Sequence, residues 1–190
     1  MEFERLSCDA KVVAVLRTQD GSGFVTQKAE RLSLTLAGIP GDRHSGFHKA
    51  AGTREKALYG KGTPIANHRQ WSAMSAEELE VIAEAMGLPQ VDPGYLGANF
   101  VFSGIPDLTQ LPSLSRIRIG KAPNQATLIV YEENEPCRLP QEAMEKAGVV
   151  ITGQPFVKAA YRKRGVVGWV EKGARVVPGD PVEVFIPKVR

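Results

Sequence analysis

Cysteine is scarce in this chain: there are two, Cys8 and Cys137. Two thiols cannot build a disulfide framework, and no Cys-x-x-Cys pair is present for a structural zinc site. That usage fits a reducing compartment. Long apolar runs are lacking as well. A run such as "VVAVL" is far too short to span a bilayer, and "MEFERLSCDAKVVAVLRTQD" mixes charges where a signal peptide holds an apolar core. These absences predict a cytoplasmic protein with no membrane association. Charge of one sign is lacking too, with 24 Lys and Arg against 21 Asp and Glu. Aromatics make up 7% of the residues and do not interleave with a long basic stripe, so nucleic acid is not expected as a partner. There is no internal repeat, and no flavin or nicotinamide fingerprint.

What is present suits one globular domain over residues 1–190, with 43% hydrophobic and 24% charged residues. Segments that alternate or run apolar predict strands at "KVVAVLRT" (11–18), "RLSLTLAGI" (31–39), "SRIRIG" (115–120), "ATLIVYE" (126–132), "RGVVGWVE" (164–171) and "DPVEVFIP" (180–187). Gly and Pro punctuate the gaps. Short, closely spaced strands without a helix between each pair predict a mainly β protein, a β-barrel with a few peripheral α-helices. One helix is predicted in "MSAEELEVIAEAMG", with Ser75 as cap, Glu78 returning the bond, and Gly87 ending it. A second lies in "LPQEAMEKAG", with Pro140 in its first turn and Gly148 at its end. Between strands runs a long, polar, glycine-rich segment over residues 41–71, of a length that is usually functional or mobile.

Cys137 sits in a polar turn, "NEPCRLP", just before the second helix. The helix start offers backbone donors, and Arg138 adds a cation, which suits an anionic sulfur. Residues alone leave a reactive and an inert cysteine both open. In "GDRHSG", Asp42, Arg43 and His44 would orient and neutralise an anionic ligand, or form a turn in which Asp42 bonds its own backbone. His44, His48 and His68 lack the acidic partner and spacing of a zinc motif. "YGKGT" lacks both the upstream glycine and the Ser or Thr of a phosphate loop. "YRKRG" (161–165), the densest basic cluster, is either a solvated flank or a phosphate receiver.

Five segments in order, "GIPGDRHSG", "NHRQWSAMSAEELEVIAEAMG", "LGANFVFSGIPDLTQLPSLSRIRIG", "ATLIVYEENEPCRLP" and "RGVVGWVEKGARVVPGDPVEV", together with the proline–cysteine pair Pro136–Cys137, resemble the MOSC domain. That module is named for the C-terminal part of molybdenum cofactor sulfurases. The resemblance runs from about residue 11 to 187 and implies a β-barrel, the standalone bacterial type. It implies Cys137 as the chemical centre, either ligating molybdenum held by a pterin (molybdopterin) or carrying sulfur as a persulfide. It further implies a cofactor pocket involving Asp42, Arg43, His44, Arg69, Asn99, Arg138, Arg162 and Arg164. Ala98 departs from the larger polar or basic residue common in cofactor-binding relatives.

Two functions follow from the resemblance. The first is a molybdenum-cofactor-dependent oxidoreductase that reduces small N-hydroxylated compounds, with electrons from a separate reductase. The second is a sulfur carrier that receives sulfane sulfur on Cys137 from a pyridoxal-phosphate-dependent desulfurase for metal–sulfur centre assembly. A third reading, in which Cys137 only packs inside a binding module, ranks below both because of its polar surroundings.

Overall fold

Alternation in "AKVVAVLR" sends Val12 and Val15 inward and leaves Lys11 and Val13 exposed, and this segment is a strand in the structure, a computed structural model that describes residues 2–188. In chain order the strands and helices are β1 (Phe3–Arg5), β2 (Ala10–Arg17), β3 (Gln27–Ala29), β4 (Leu32–Ser33), β5 (His48–Ala50), β6 (Pro64–Ala66), β7 (Trp71–Ser75) and α1 (Ala76–Met86). There follow β8 (Phe100–Ser103), β9 (Arg116–Ile119), β10 (Ala126–Glu133), α2 (Leu139–Lys146), α3 (Phe156–Ala159), β11 (Val166–Lys172), β12 (Arg175–Val176) and β13 (Pro181–Pro187). Seven of them form a ring in the order β13, β9, β10, β11, β7, β8, β2, and β2 pairs back onto β13 to close it. The fold is thus the predicted β-barrel with short peripheral helices. β7 and β8 run parallel, whereas the other neighbours in the ring are antiparallel.

That parallel pair explains why neither strand stood out in the sequence. On its inner face Trp71, Ala73, Phe100 and Phe102 join the barrel core with Ile117, Leu128, Val130 and Val184. On its outer face Met74 and Val101 meet Leu79, Ile82, Ala83 and Met86 of α1, together with Phe156 of α3. Strands buried on both faces do not alternate. A parallel pair also needs a crossover connection, and α1 begins that crossover.

Two local expectations are corrected. The segment 31–39 is not one strand: only Leu32–Ser33 pairs, with β12. Thr35 and Gly38 then exchange backbone hydrogen bonds of 2.9 Å in a tight turn that lets Leu34 and Ile39 both enter the core. Ser75 does cap α1, its Oγ accepting from Glu78 N–H at 3.2 Å, but Glu78 does not return the bond. Ser75 is the fully buried last residue of β7, paired in the ladder with Phe102. Glu78 instead turns outward from the cap and accepts from Thr109 N–H at 3.1 Å.

Candidate functional site

The site begins at an irregularity in β10. The register against β11 slips between Val130 and Glu132, and Tyr131 is the unpaired residue. Such a bulge bends a strand and re-aims the side chains beyond it. Past this one, Glu132 and Asn134 both reach Arg69: Nη1 lies 2.5 Å from Glu132 Oε1, and Nη2 donates to Asn134 Oδ1 at 2.9 Å. The chain then runs through Pro136 to Cys137 and into α2, whose N-cap is Arg138. Cys137 is exposed, at the mouth of a cavity of about 130 Å³.

Four guanidiniums line this cavity: Arg43, Arg54, Arg69 and Arg164. Arg164 is 4% exposed; Nη2 donates to the Leu96 carbonyl and Nη1 lies 3.2 Å from Met74 Sδ. Burial pulls its pKa down to about 10, and negative charge on Cys137 works against that fall. Gly165 fixes the turn that presents it. With φ at +80°, any Cβ there would stand 1.9 Å from the Ala73 carbonyl oxygen. Arg43 lies 5.9 Å above the Phe24 ring, and Arg54 comes from the segment between β5 and β6. Among the described residues, Arg69 alone of the four has a carboxylate partner. Of the three others only Arg164 is buried, and a buried guanidinium without a counter-ion is costly.

His44 also lines the cavity, although the residue is exposed to solvent. Partial burial of the ring and the Arg43 guanidinium push its pKa down to about 4, with Asp42 opposing and Arg69 adding to the fall. Its backbone is set by Asp42, which is 6% exposed and wholly engaged. Asp42 Oδ1 accepts from His44 N–H at 3.3 Å, and Oδ2 accepts from Thr18 N–H at 3.0 Å and from Asn99 Nδ2 at 3.2 Å. Asn99 in turn accepts from Ser72 N–H at 3.1 Å and donates to the Leu16 carbonyl. Asn67 ties the same turn to Arg69, donating to the carbonyls of His44 and Gly46 and accepting from Arg69 N–H.

The structure therefore brings together Cys137, Arg43, His44, Arg69 and Arg164 of the residues singled out from sequence. Asp42 and Asn99 stand behind the cavity in a buried network that shapes its wall. Arg138 is exposed at the start of α2 and does not line the cavity. Neither does Arg162, which is exposed and pairs with Gln110. His48 lies on β5, and His68 packs against Tyr131 and Trp169, so the three histidines do not converge. Among the described residues no group of three or more His, Cys, Asp or Glu is placed to hold a metal ion. Sequence reasoning missed Arg54, whose signal was a lone arginine in a long glycine-rich insert, and Trp71. Trp71 is 1% exposed and lines the cavity, and its Nε1–H has no partner among the described residues. Larger grooves exist elsewhere, one of about 630 Å³ beside Arg17 and Lys28 and one of about 360 Å³ that places Cys8 near Arg5, whose guanidinium is paired with Glu183.

A seven-stranded ring with an exposed thiol beside an arginine-lined cavity defines a small barrel protein. The chain belongs to the MOSC domain family, whose match covers residues 56–183. It is 42% identical over 170 residues to YuaD of Bacillus subtilis (strain 168), named as a candidate metal–sulfur cluster biosynthesis protein; the match spans 87% of this chain and 85% of YuaD. The crystal structure of the Bacillus subtilis YuaD protein superposes with a TM-score of 0.87 at 38% identity, over 98% of this chain and all of that one. YiiM from Geobacillus stearothermophilus, at 14% identity and a TM-score of 0.55, covers 92% of this chain and 72% of its own, a likeness of fold alone. Among the described residues no helix is long and apolar enough to cross a membrane.

Proposed function

We propose that this protein carries sulfane sulfur on Cys137 for metal–sulfur centre assembly, with a pyridoxal-phosphate-dependent desulfurase as donor. The observation that carries this reading is an exposed thiol backed by Arg164, a buried cation with no carboxylate partner among the described residues. A carrier needs a sulfur that two partners reach in turn, and Cys137 is open on its outer side. The thiolate attacks the terminal sulfur of the donor's persulfide. The new S–S bond forms on Cys137, and the donor's own thiolate leaves with the electron pair. The persulfide so formed is anionic, and the guanidiniums of the cavity stabilise it. Two free cysteines suit a reducing cytoplasm, and the name given to YuaD points the same way. Incubation with a desulfurase and cysteine should add one sulfur atom to wild-type protein, removable by reductant, and none to Cys137→Ser. An intact, unmodified Cys137 after exposure to several donors would sink the reading.

The arginine set also favours a second reading, ligation of a molybdenum cofactor. A thiolate at Cys137 and phosphate-binding guanidiniums at Arg43, Arg69 and Arg164 are the right donors. The enclosed space of about 130 Å³ is smaller than the roughly 300 Å³ at which ligand pockets begin, so the pterin rings would lie outside it. Bound there, the group would supply oxo-transfer to N-hydroxylated substrates, with electrons from a separate reductase. Elemental analysis for molybdenum separates the two readings, using protein from a cofactor-competent host with Cys137→Ser alongside. Metal present in wild type and lost in the variant favours the cofactor.

A further inference from the structure

The charge balance of the cavity narrows what enters it. Arg43, Arg54, Arg69 and Arg164 face the carboxylates of Glu135 at the rim and Glu132 behind Arg69. Two positive charges are left over, and one of them offsets the Cys137 thiolate. A second, independent sign is Trp71, which borders the cavity and whose buried indole N–H has no acceptor among the described residues. Indole nitrogen is a donor and never an acceptor. The space of about 130 Å³ admits a few heavy atoms beside the thiol and no more. A small anion that is rich in acceptors meets the remaining positive charge, the free donor and the volume together.

We propose that the cavity binds a small sulfane-bearing oxoanion, of which thiosulfate is the simplest, and that Cys137 takes its sulfur directly. The inference rests on the carrier reading and names a second, low-molecular-mass donor for it. The sulfonate end sits among Arg43, Arg54 and Arg164, with the indole N–H as a further donor, and the outer sulfur faces the thiol. The Cys137 thiolate attacks that outer sulfur, and a Cys137–S–S⁻ persulfide forms. The S–S bond of thiosulfate breaks, and sulfite leaves with the bonding pair. One negative charge stays on the persulfide and two leave with sulfite, matching the thiolate and dianion that entered. No oxidant or reductant is needed. A thiol or cyanide then removes the sulfane sulfur and regenerates the thiolate.

Arg54 is the specificity-determining group in this scheme. It is exposed and comes from an arm whose turn is pinned by Glu55, which lies 2.5 Å from Lys49 Nζ and accepts from Gly52 N–H at 2.8 Å. Its removal therefore tests the anion site without touching the core.

The experiment measures thiocyanate formed from thiosulfate and cyanide, and the mass of Cys137 after thiosulfate alone. Wild type should turn over and gain one sulfur atom with release of sulfite. Cys137→Ser should do neither. Arg54→Ala should raise the KM for thiosulfate by about tenfold, the scale of one charge-assisted hydrogen bond, with a smaller change in kcat. Arg162→Ala, outside the cavity, should match wild type. If Cys137 gains sulfur from a desulfurase but not from thiosulfate, the carrier reading stands and this inference falls. If thiosulfate reacts with unchanged KM in both Arg54→Ala and Arg43→Ala, the cavity does not hold the anion and the inference also falls. No adduct from any donor overturns both.

Discussion

Asn134 accepts a hydrogen bond from Arg69 at 2.9 Å, three residues before Cys137. That bond joins the end of β10 to the segment that enters β7, two parts of the chain more than sixty residues apart. The direction in which the backbone leaves the barrel toward the thiol is thus tied to a side chain from the segment between β6 and β7. Asn134→Ala should cost about 1–3 kcal/mol, the scale for a buried bond to a charged group, read as a lower urea midpoint. Loading of sulfur onto Cys137 should slow as well. A midpoint equal to wild type would show that Glu132 alone holds Arg69.

Glu78 makes stability depend on pH. Burial, with Asp107 acting in the same sense, raises its pKa from 4.5 to about 7, while the hydrogen bonds from Thr109 and the charge of Lys163 oppose the rise. Its Oε2 has no partner among the described residues. The folded state therefore holds the proton more tightly than the unfolded one. The stabilisation is complete below the unfolded value and is lost as pH rises through about 7. Between about pH 4.5 and pH 7 the urea midpoint should fall and then level off, by the equivalent of about 1–3 kcal/mol across the full titration. Glu78→Gln, neutral throughout, should flatten that dependence, and an unchanged slope would exclude Glu78 as its source.

Two glycines of similar backbone angle should respond differently to alanine. Gly165 and Gly148 have φ of +80° and +82°, and the left-handed region alone costs an L-residue about 1 kcal/mol. At Gly148 a Cβ meets nothing within 4 Å, so Gly148→Ala should fold at that modest cost. At Gly165 it meets the Ala73 carbonyl oxygen at 1.9 Å. Gly165→Ala should therefore lose about 3 kcal/mol or more and displace Arg164. Equal melting temperatures for the two variants would contradict this.

Strands with one solvated face were legible in the sequence. β2, β9, β10, β11 and β13 fall where alternation or apolar runs put them, because each meets the core on one side and water or a thin cover on the other. β7 and β8 were not, since "WSAMS" and "FVFS" bury both faces and carry no period. Both helices were marked by their Ser, Pro and Gly termini. The capping pair failed at Glu78 because a tertiary partner, Thr109, outbid a local one. In the site, the position of Cys137 before a helix was visible, and so were four of its neighbours. Arg54 and Trp71 were not, because nothing local says that an insert folds back or that one indole of a core strand borders a cavity.

The order in which the ring closes has a consequence for the newborn chain. β13, the last strand of the barrel, seals it by pairing with β2 and β9, whereas Cys137 and its arginines precede it in sequence. During synthesis the thiol thus emerges before the wall behind it can be complete, and those contacts join segments far apart along the chain. A partially made chain exposes Cys137 before the closed ring that carries its neighbours has formed. The surroundings of Cys137 are in this way coupled to completion of the fold.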